Sequence, residues 1–343
     1  MLWQQYFMRE KVIVAIRDFF LKEKFHEIET PLLASALPAE SYLEVFETTL
    51  LDRHRKPKRA FLTASPEMFL KKLLVAGVGN CFSITKSFRN TEDLSHTHNP
   101  EFTILEWYRV GADYKDLMKD TEELFVHIYQ HLFANNKTIK QFSNKYILTY
   151  QNKTIDLTPP WERISMVAAF KKYAGVDLEK ALTLETILPV AKTKGYQIGP
   201  KTTWEELFHQ IYLNEIEPHF GKGRPTIIYD FPSQMAALAK KKDTDPRFAE
   251  RFEVYIAGLE LGDCYSELTD WKEQETRFKK ETLERKRMGK TAYPYDADLI
   301  DALKAGLPKC SGLALGVDRA VMLFADVPRI QDTLFFPSGE MWG

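Results

Sequence analysis

The segment from Cys81 to Arg109 leaves few folds open. Cys81 to Phe88 alternates apolar side chains (Phe82, Ile84, Phe88) with small polar ones, the period-2 pattern of a half-buried strand. Arg89 to Pro100 is too polar for a core, and Phe102 to Arg109 alternates again. Phe102, Ile104, Glu106 and Tyr108 therefore share one face, so a carboxylate and a phenol look out of the same side of a sheet. Arg89, at the head of the loop, can reach back over that face. A guanidinium there matches a phosphate bidentately, and such charge-assisted bonds are about twice as strong as neutral ones. With the acidic residues and the His98-Asn99 pair, this suggests a phosphate site beside an amine site. On composition alone, a solvated charged hairpin is the simpler account.

The chain's 343 residues suffice for one large domain or two with a substantial core. A net charge of −1 advertises no global basic field for nucleic acid, though local patches stay possible. Cys81, Cys264 and Cys310 are far apart with no CxxC, which disfavours zinc and a disulfide framework. A reducing cytosol is the simplest inference. Charges interrupt the apolar amino terminus, and no run reaches the ~18 apolar residues of a membrane span. The expectation is a soluble cytoplasmic protein that does not bind membranes.

Residues 3–25 read as a long amphipathic helix, followed by a short strand at Glu27 to Thr30 that Pro31 stops. Arg59 to Thr63 is a short strand, and Ser65-Pro66-Glu67 opens a helix that Gly77 ends, with serine as N-cap and proline in the first turn. Asp113 to Phe133 is another helix, and 146–157 a hairpin turning at Asn152-Lys153. Helices at about 164–174, 185–194 and 203–217 form an all-helical insertion, spanning about 160–225, with no sign of chemistry.

Glu253 and Glu260 would face opposite ways on one unbroken strand. A two-residue turn at Ala257-Gly258, or one residue earlier, makes a hairpin and brings both to one face. Paired carboxylates repel unless a cation lies between them, and an all-oxygen set suits Mg²⁺. The alternative is that one glutamate points outward and does nothing. Near the end, Lys309 to Leu323 is a glycine-bearing apolar strand, then Asp318-Arg319 opening a helix, whose amino terminus is a ready anion site.

Three stretches carry a resemblance. Phe88-Arg89-Asn90, His98-Asn99-Pro100-Glu101-Phe102-Thr103 and Leu105-Glu106-Trp107-Tyr108 resemble motif 2 of the class II aminoacyl-tRNA synthetases, in the lysyl branch. Gly312-Leu313-Ala314-Leu315-Gly316-Val317-Asp318-Arg319 resembles motif 3, and the first helix with Glu27 to Pro31 resembles motif 1. The resemblance spans nearly the whole chain. It implies an α+β class II catalytic fold, an antiparallel sheet flanked by helices, forming one catalytic domain over 1–343. It also implies a homodimer, and ATP and Mg²⁺ as cofactors. Arg89 would then grip the α-phosphate and Arg319 the γ-phosphate, as the catalytic pair. Asn90, Glu92, His98, Asn99, Phe102, Glu260, Leu261 and Gly316 would complete the ATP site, and Glu253 with Glu260 would hold Mg²⁺. Ser65, Pro66, Glu67, Glu106, Tyr108, Asp263, Glu267 and Ala314 would surround a lysine.

Full lysyl-tRNA synthetases carry an anticodon-binding OB domain ahead of this core, whereas here the motif 1 helix begins within a few residues of Met1. The resemblance is therefore to the stand-alone elongation factor P lysine ligases, which lack that OB-fold and its anticodon contacts. They attach a lysine, preferably (R)-β-lysine, to a lysine of elongation factor P. A minimal enzyme charging tRNA and a non-catalytic paralogue are the alternatives. Ala314 stands where the tRNA-charging enzymes have glycine, and one methyl beside a substrate moves selectivity by about 1–3 kcal/mol. Two departures stand out. The motif 2 loop is one residue longer, and the family's Ala-Asn-Gly is here Gly262-Asp263-Cys264, so Asp263 is expected to add charge opposite an ammonium.

Overall fold

The computed structural model describes residues 2–91, 95–133, 145–236 and 238–342. An eight-stranded sheet organises them. Its spatial order is His26–Glu27, Cys81–Phe88, Glu101–Val110, Cys310–Gly316, Leu259–Ser266, Phe248–Ile256, Thr226–Pro232 and Glu162–Ser165. The inner neighbours are antiparallel, but each outermost strand pairs parallel with its neighbour. The α+β class expected from the sequence holds, with the sheet mixed at its two rims. Parallel neighbours need a long crossover, and the helices between Met166 and His219 form one of the two.

Alternation along the central strands sorts the faces. Phe82, Leu105, Trp107, Phe252, Val254, Leu313 and Leu315 turn to a core shared with the Leu2–Lys22, Tyr114–Phe133 and Val317–Ala325 helices. The residues between them, Glu106 and Tyr108 among them, look out of the other face. On that side, at one end of the sheet, the crossover helices pack a second core, with Phe170, Phe208 and Tyr212 against Ile228 and Tyr255.

One of two hairpin turns stands where the sequence suggests. Ala257 and Gly258, at φ 57° and 82°, close the hairpin joining Phe248–Ile256 to Leu259–Ser266. The 147–156 hairpin turns one residue earlier than expected, at Gln151-Asn152, where both residues have positive φ (47° and 61°). Pro66 is the N-cap of Glu67–Val75 rather than a first-turn residue, and the Ser65 hydroxyl accepts a 3.0 Å hydrogen bond from the Glu67 amide.

One polar knot fastens the first helix to the sheet. Asp318, buried, accepts a 2.6 Å hydrogen bond from the Thr103 amide and pairs with Arg9, while Arg9 also donates to the Thr103 hydroxyl at 2.6 Å. Among the described residues no helix is long and apolar enough to cross a membrane. Asp318→Ala strips Arg9 and the Thr103 amide of their partner together. Removing one member of a buried pair costs roughly 3–5 kcal/mol, so urea denaturation should show a loss of about that size, and an unchanged midpoint would refute the role given to the knot.

Candidate active site

The open sheet face begins with a steric constraint. Gly312 lies opposite Tyr108 in the register, and a Cβ on it would stand 2.3 Å from a ring carbon of Tyr108. Only glycine lets the ring lie flat on the neighbouring strand. From there the Tyr108 hydroxyl donates to Glu106 at 2.6 Å, and the Ser65 hydroxyl donates to the other Glu106 oxygen at 2.7 Å. Burial, then the field of Glu67, pushes the Glu106 carboxyl up to about 8 against the pull of those two hydrogen bonds.

Beside it the structure places a lysine that the sequence reading missed. Lys71 is buried, and its Nζ lies 2.5 Å from both Glu67 and Glu267. Burial pulls the ammonium's pKa down, but Glu267 and Glu67 more than offset it, so Lys71 stays charged. Glu267 is pushed up to about 7 by burial, which Lys71 opposes. A glutamate and a lysine four apart on a helix ordinarily signal a surface pair. The signal available was that Lys71 shares its helix arc with the buried Leu70 and Leu74.

Asp263 departs from its expected role. A β-bulge between Val254 and Tyr255 leaves Leu261 as the extra residue, so Asp263 lies opposite Glu253 on the open face rather than turning into the core. There Arg251 grips both Asp263 oxygens at 2.9 and 3.0 Å, and the Tyr265 hydroxyl donates to it at 2.6 Å. Its charge is met inside the protein, which corrects the expectation of an added bare charge opposite an ammonium. Ala314 lies between Asp263 and Glu106 in the register, with its methyl on the wall of the same cleft, a space of about 110 Å³ that Arg89 also lines.

Glu253 and Glu260 do share a face. Glu253 is buried and takes hydrogen bonds from Arg251 (2.8 Å), Tyr255 (2.9 Å) and Tyr212 (3.3 Å), while Glu260 is half-exposed. Burial raises the Glu253 carboxyl to about 8; Arg251 opposes the shift, and Glu260 and Asp263 add to it. Glu217 is raised as well, by burial and by Glu260. Mutual repulsion within an all-oxygen set is what a hard divalent cation would relieve, and an all-oxygen set is the donor type that Mg²⁺ takes.

Further along, Arg319 donates to the Glu260 carbonyl at 2.7 Å and to the Thr97 carbonyl at 3.2 Å, and meets His98 at 2.9 Å. The Arg89 guanidinium stands 5.2 Å from the centre of the Phe102 ring. Asn99 is not on the open face. It is buried, donating to the Glu101 carbonyl at 2.6 Å and accepting from the Ser338 amide at 3.2 Å, so it braces the loop against the carboxy-terminal helix. Asn90 is tied to backbone on two segments: its side chain donates to the Val45 carbonyl at 3.4 Å and accepts from the Thr91 amide at 2.9 Å. The Leu261 side chain is core, leaving only its backbone to serve a ligand. At Gly316 a Cβ would meet only the stem of Arg319, at 3.7 Å or more, so bulk does not require glycine there. Glu92 lies outside the described residues.

With this geometry in hand, residues 3–340 match the family described as tRNA synthetases class II (D, K and N). The chain belongs to that family. It is 35% identical over 341 residues to a lysine–tRNA ligase of Moorella thermoacetica, covering 98% of this chain and 65% of that protein. The lysine–tRNA ligase of Shewanella loihica is 36% identical over 340 residues (97% and 65%), and that of Clostridium acetobutylicum 35% over 344 (98% and 62%). The chain thus spans a little under two thirds of the length of these relatives.

The steric constraint at the floor of this class II site is open to test. Gly312→Ala must displace the Tyr108 ring and so break its hydrogen bond to buried Glu106. The expected loss is about 1–3 kcal/mol in chemical denaturation, and a fully stable variant would show that the ring has room to spare.

Proposed function

We propose that the protein activates lysine, or a close diamino acid, with ATP as an aminoacyl-adenylate, and transfers it to the ε-amino group of a lysine on translation elongation factor P. The observation that carries the activation step is one cleft holding Arg89 together with Glu67, Glu106 and Glu267. An arginine matches a phosphate, and an excess of carboxylates matches a substrate that brings two ammonium groups. In this reading Arg89 holds the α-phosphate, and Arg319 with His98 holds the γ-phosphate. Phe102 lies against the base. Glu106, Glu67 and Glu267 receive the amines, with Ser65 and Tyr108 orienting Glu106.

The substrate carboxylate attacks the α-phosphorus and pyrophosphate leaves. No side chain becomes covalent, so positioning and charge neutralisation carry the rate. Glu253 and Glu260 would hold Mg²⁺, which when bound supplies positive charge to the phosphates. Exposed Trp3, Phe7, Val14 and Leu21 form one stripe along the first helix, and this supports the homodimer. Ala314 supports the choice of a β-amino substrate, because its methyl narrows the wall between Glu106 and Asp263. A second reading, transfer to tRNA, is favoured by the names of the relatives.

Lysine-dependent ATP–pyrophosphate exchange tests activation. Arg319→Ala should lower it by about 10²-fold, and exchange that does not depend on lysine would sink the reading. Labelled lysine offered to elongation factor P and to tRNA then shows which acceptor takes the label. A separate consequence concerns protons. Glu106 and Glu267, at about 8 and 7, carry protons near neutrality without ligand, and a cationic substrate binds their ionised forms. Lysine binding should therefore release protons at pH 7, with affinity rising from about pH 6 to 8.5. Calorimetry in two buffers of different ionisation enthalpy measures this, and zero proton release would contradict it.

A further inference from the structure

Glu40 lines the same cleft as Arg89, Glu67 and Glu106. Its backbone is fastened on every side. The Glu40 amide donates to the Tyr293 hydroxyl at 3.4 Å, and its carbonyl accepts from Arg285 at 2.7 Å. The Ser41 amide donates to Glu281 at 2.9 Å, and the Pro38 carbonyl accepts from Tyr293 at 3.0 Å. The carboxylate these bonds position is half-buried and accepts no hydrogen bond from the described side chains. Elsewhere in the cleft, Glu67, Glu106, Asp263 and Glu267 each have a donor. Glu40 stands between buried Ala39 and Ser41 and is itself partly open to solvent.

We infer that Glu40 is the general base of the transfer step, the group that takes a proton from the acceptor amine as it attacks the aminoacyl-adenylate. The inference rests on the activation reading and on an amine as the acceptor. If Arg89 sits at the α-phosphate and Glu67 at a substrate amine, the acyl carbon lies between them, in the cleft that Glu40 lines with a carboxylate free to meet an incoming nucleophile. An alkyl ammonium, with a pKa of about 10.4, cannot attack until it loses a proton. It gives that proton to Glu40, and its freed electron pair forms the amide bond to the acyl carbon. The bond from that carbon to the phosphate oxygen breaks, AMP leaves with the bonding pair, and the second nitrogen proton passes to water. The charged groups facing Glu40 are Glu67 from the neighbouring helix, Arg89 from the sheet, and Glu281 and Arg285 from the Trp271–Arg287 helix. Burial, then Glu67, raises the carboxyl to about 7 against the pull of Arg89, a value suited to a base at neutral pH.

The test compares wild type with Glu40→Gln and Glu40→Asp. Enzyme-bound lysyl-adenylate is mixed with Nα-acetyl-lysine amide, whose amine must be deprotonated, or with hydroxylamine, which is neutral at pH 7 and needs no base. Glu40→Gln should keep lysine-dependent exchange and its KM, and should react normally with hydroxylamine. Its reaction with the lysine amide should be slower by about 10²-fold, without the rise that wild type shows through pH 7, and Glu40→Asp should recover part of it. Unchanged aminolysis overturns the proposal. So does a raised KM for lysine in exchange with a matching fall in transfer, which would make Glu40 part of the substrate pocket. Wild-type protein without exchange fails the activation reading itself, and the role of Glu40 falls with it.

Discussion

Carboxylates crowded together away from water set the terms for this structure. Glu40, Glu67, Glu106, Asp263 and Glu267 all border one cleft, and Glu106 and Glu267 are buried. Removing such a charge from water is expensive unless a cation, a donor or a proton meets it. The protein uses all three. Lys71 bridges Glu67 and Glu267, Arg251 grips Asp263, and burial pushes Glu106 towards keeping its proton.

The sheet acts as a ruler for that chemistry. Tyr108 faces Gly312, Glu106 faces Ala314, and Ala314 faces Asp263 across three neighbouring strands. A slip of one residue would send all of these side chains into the apolar core. The deep packing of Trp107, Leu105 and Leu313 on the far side therefore fixes the cleft as much as any hydrogen bond inside it. The knot of Arg9, Thr103 and Asp318 serves the same end. It anchors the Glu101–Val110 strand to two helices at once, and Asp318 directly precedes Arg319.

Much of this was legible from pattern. The Cys81–Phe88 strand has the limits that alternation suggests, and the Ala257-Gly258 turn follows from residues that tolerate positive φ. Glu106 and Tyr108 share a face because strand geometry leaves no other arrangement. Asn99 shows where pattern runs out. A polar residue in a polar loop looks like a ligand contact until its amide is found bonded to Glu101 and Ser338, the latter more than two hundred residues away.

Local sequence alone determined the strands, the hairpins and the set of residue types from which the site is built, because period, turn residues and charge act over a few neighbours. Tertiary structure decided which of those residues meet. Lys71 was missed as the partner of the cleft's carboxylates because one of them, Glu267, arrives from the end of a distant strand. Asp263 changed from a bare charge to a neutralised one because a single extra residue, Leu261, turned it onto the face where Arg251 waits. Electrostatic pairing depends on distance in space, and distance in space is what a linear pattern does not contain.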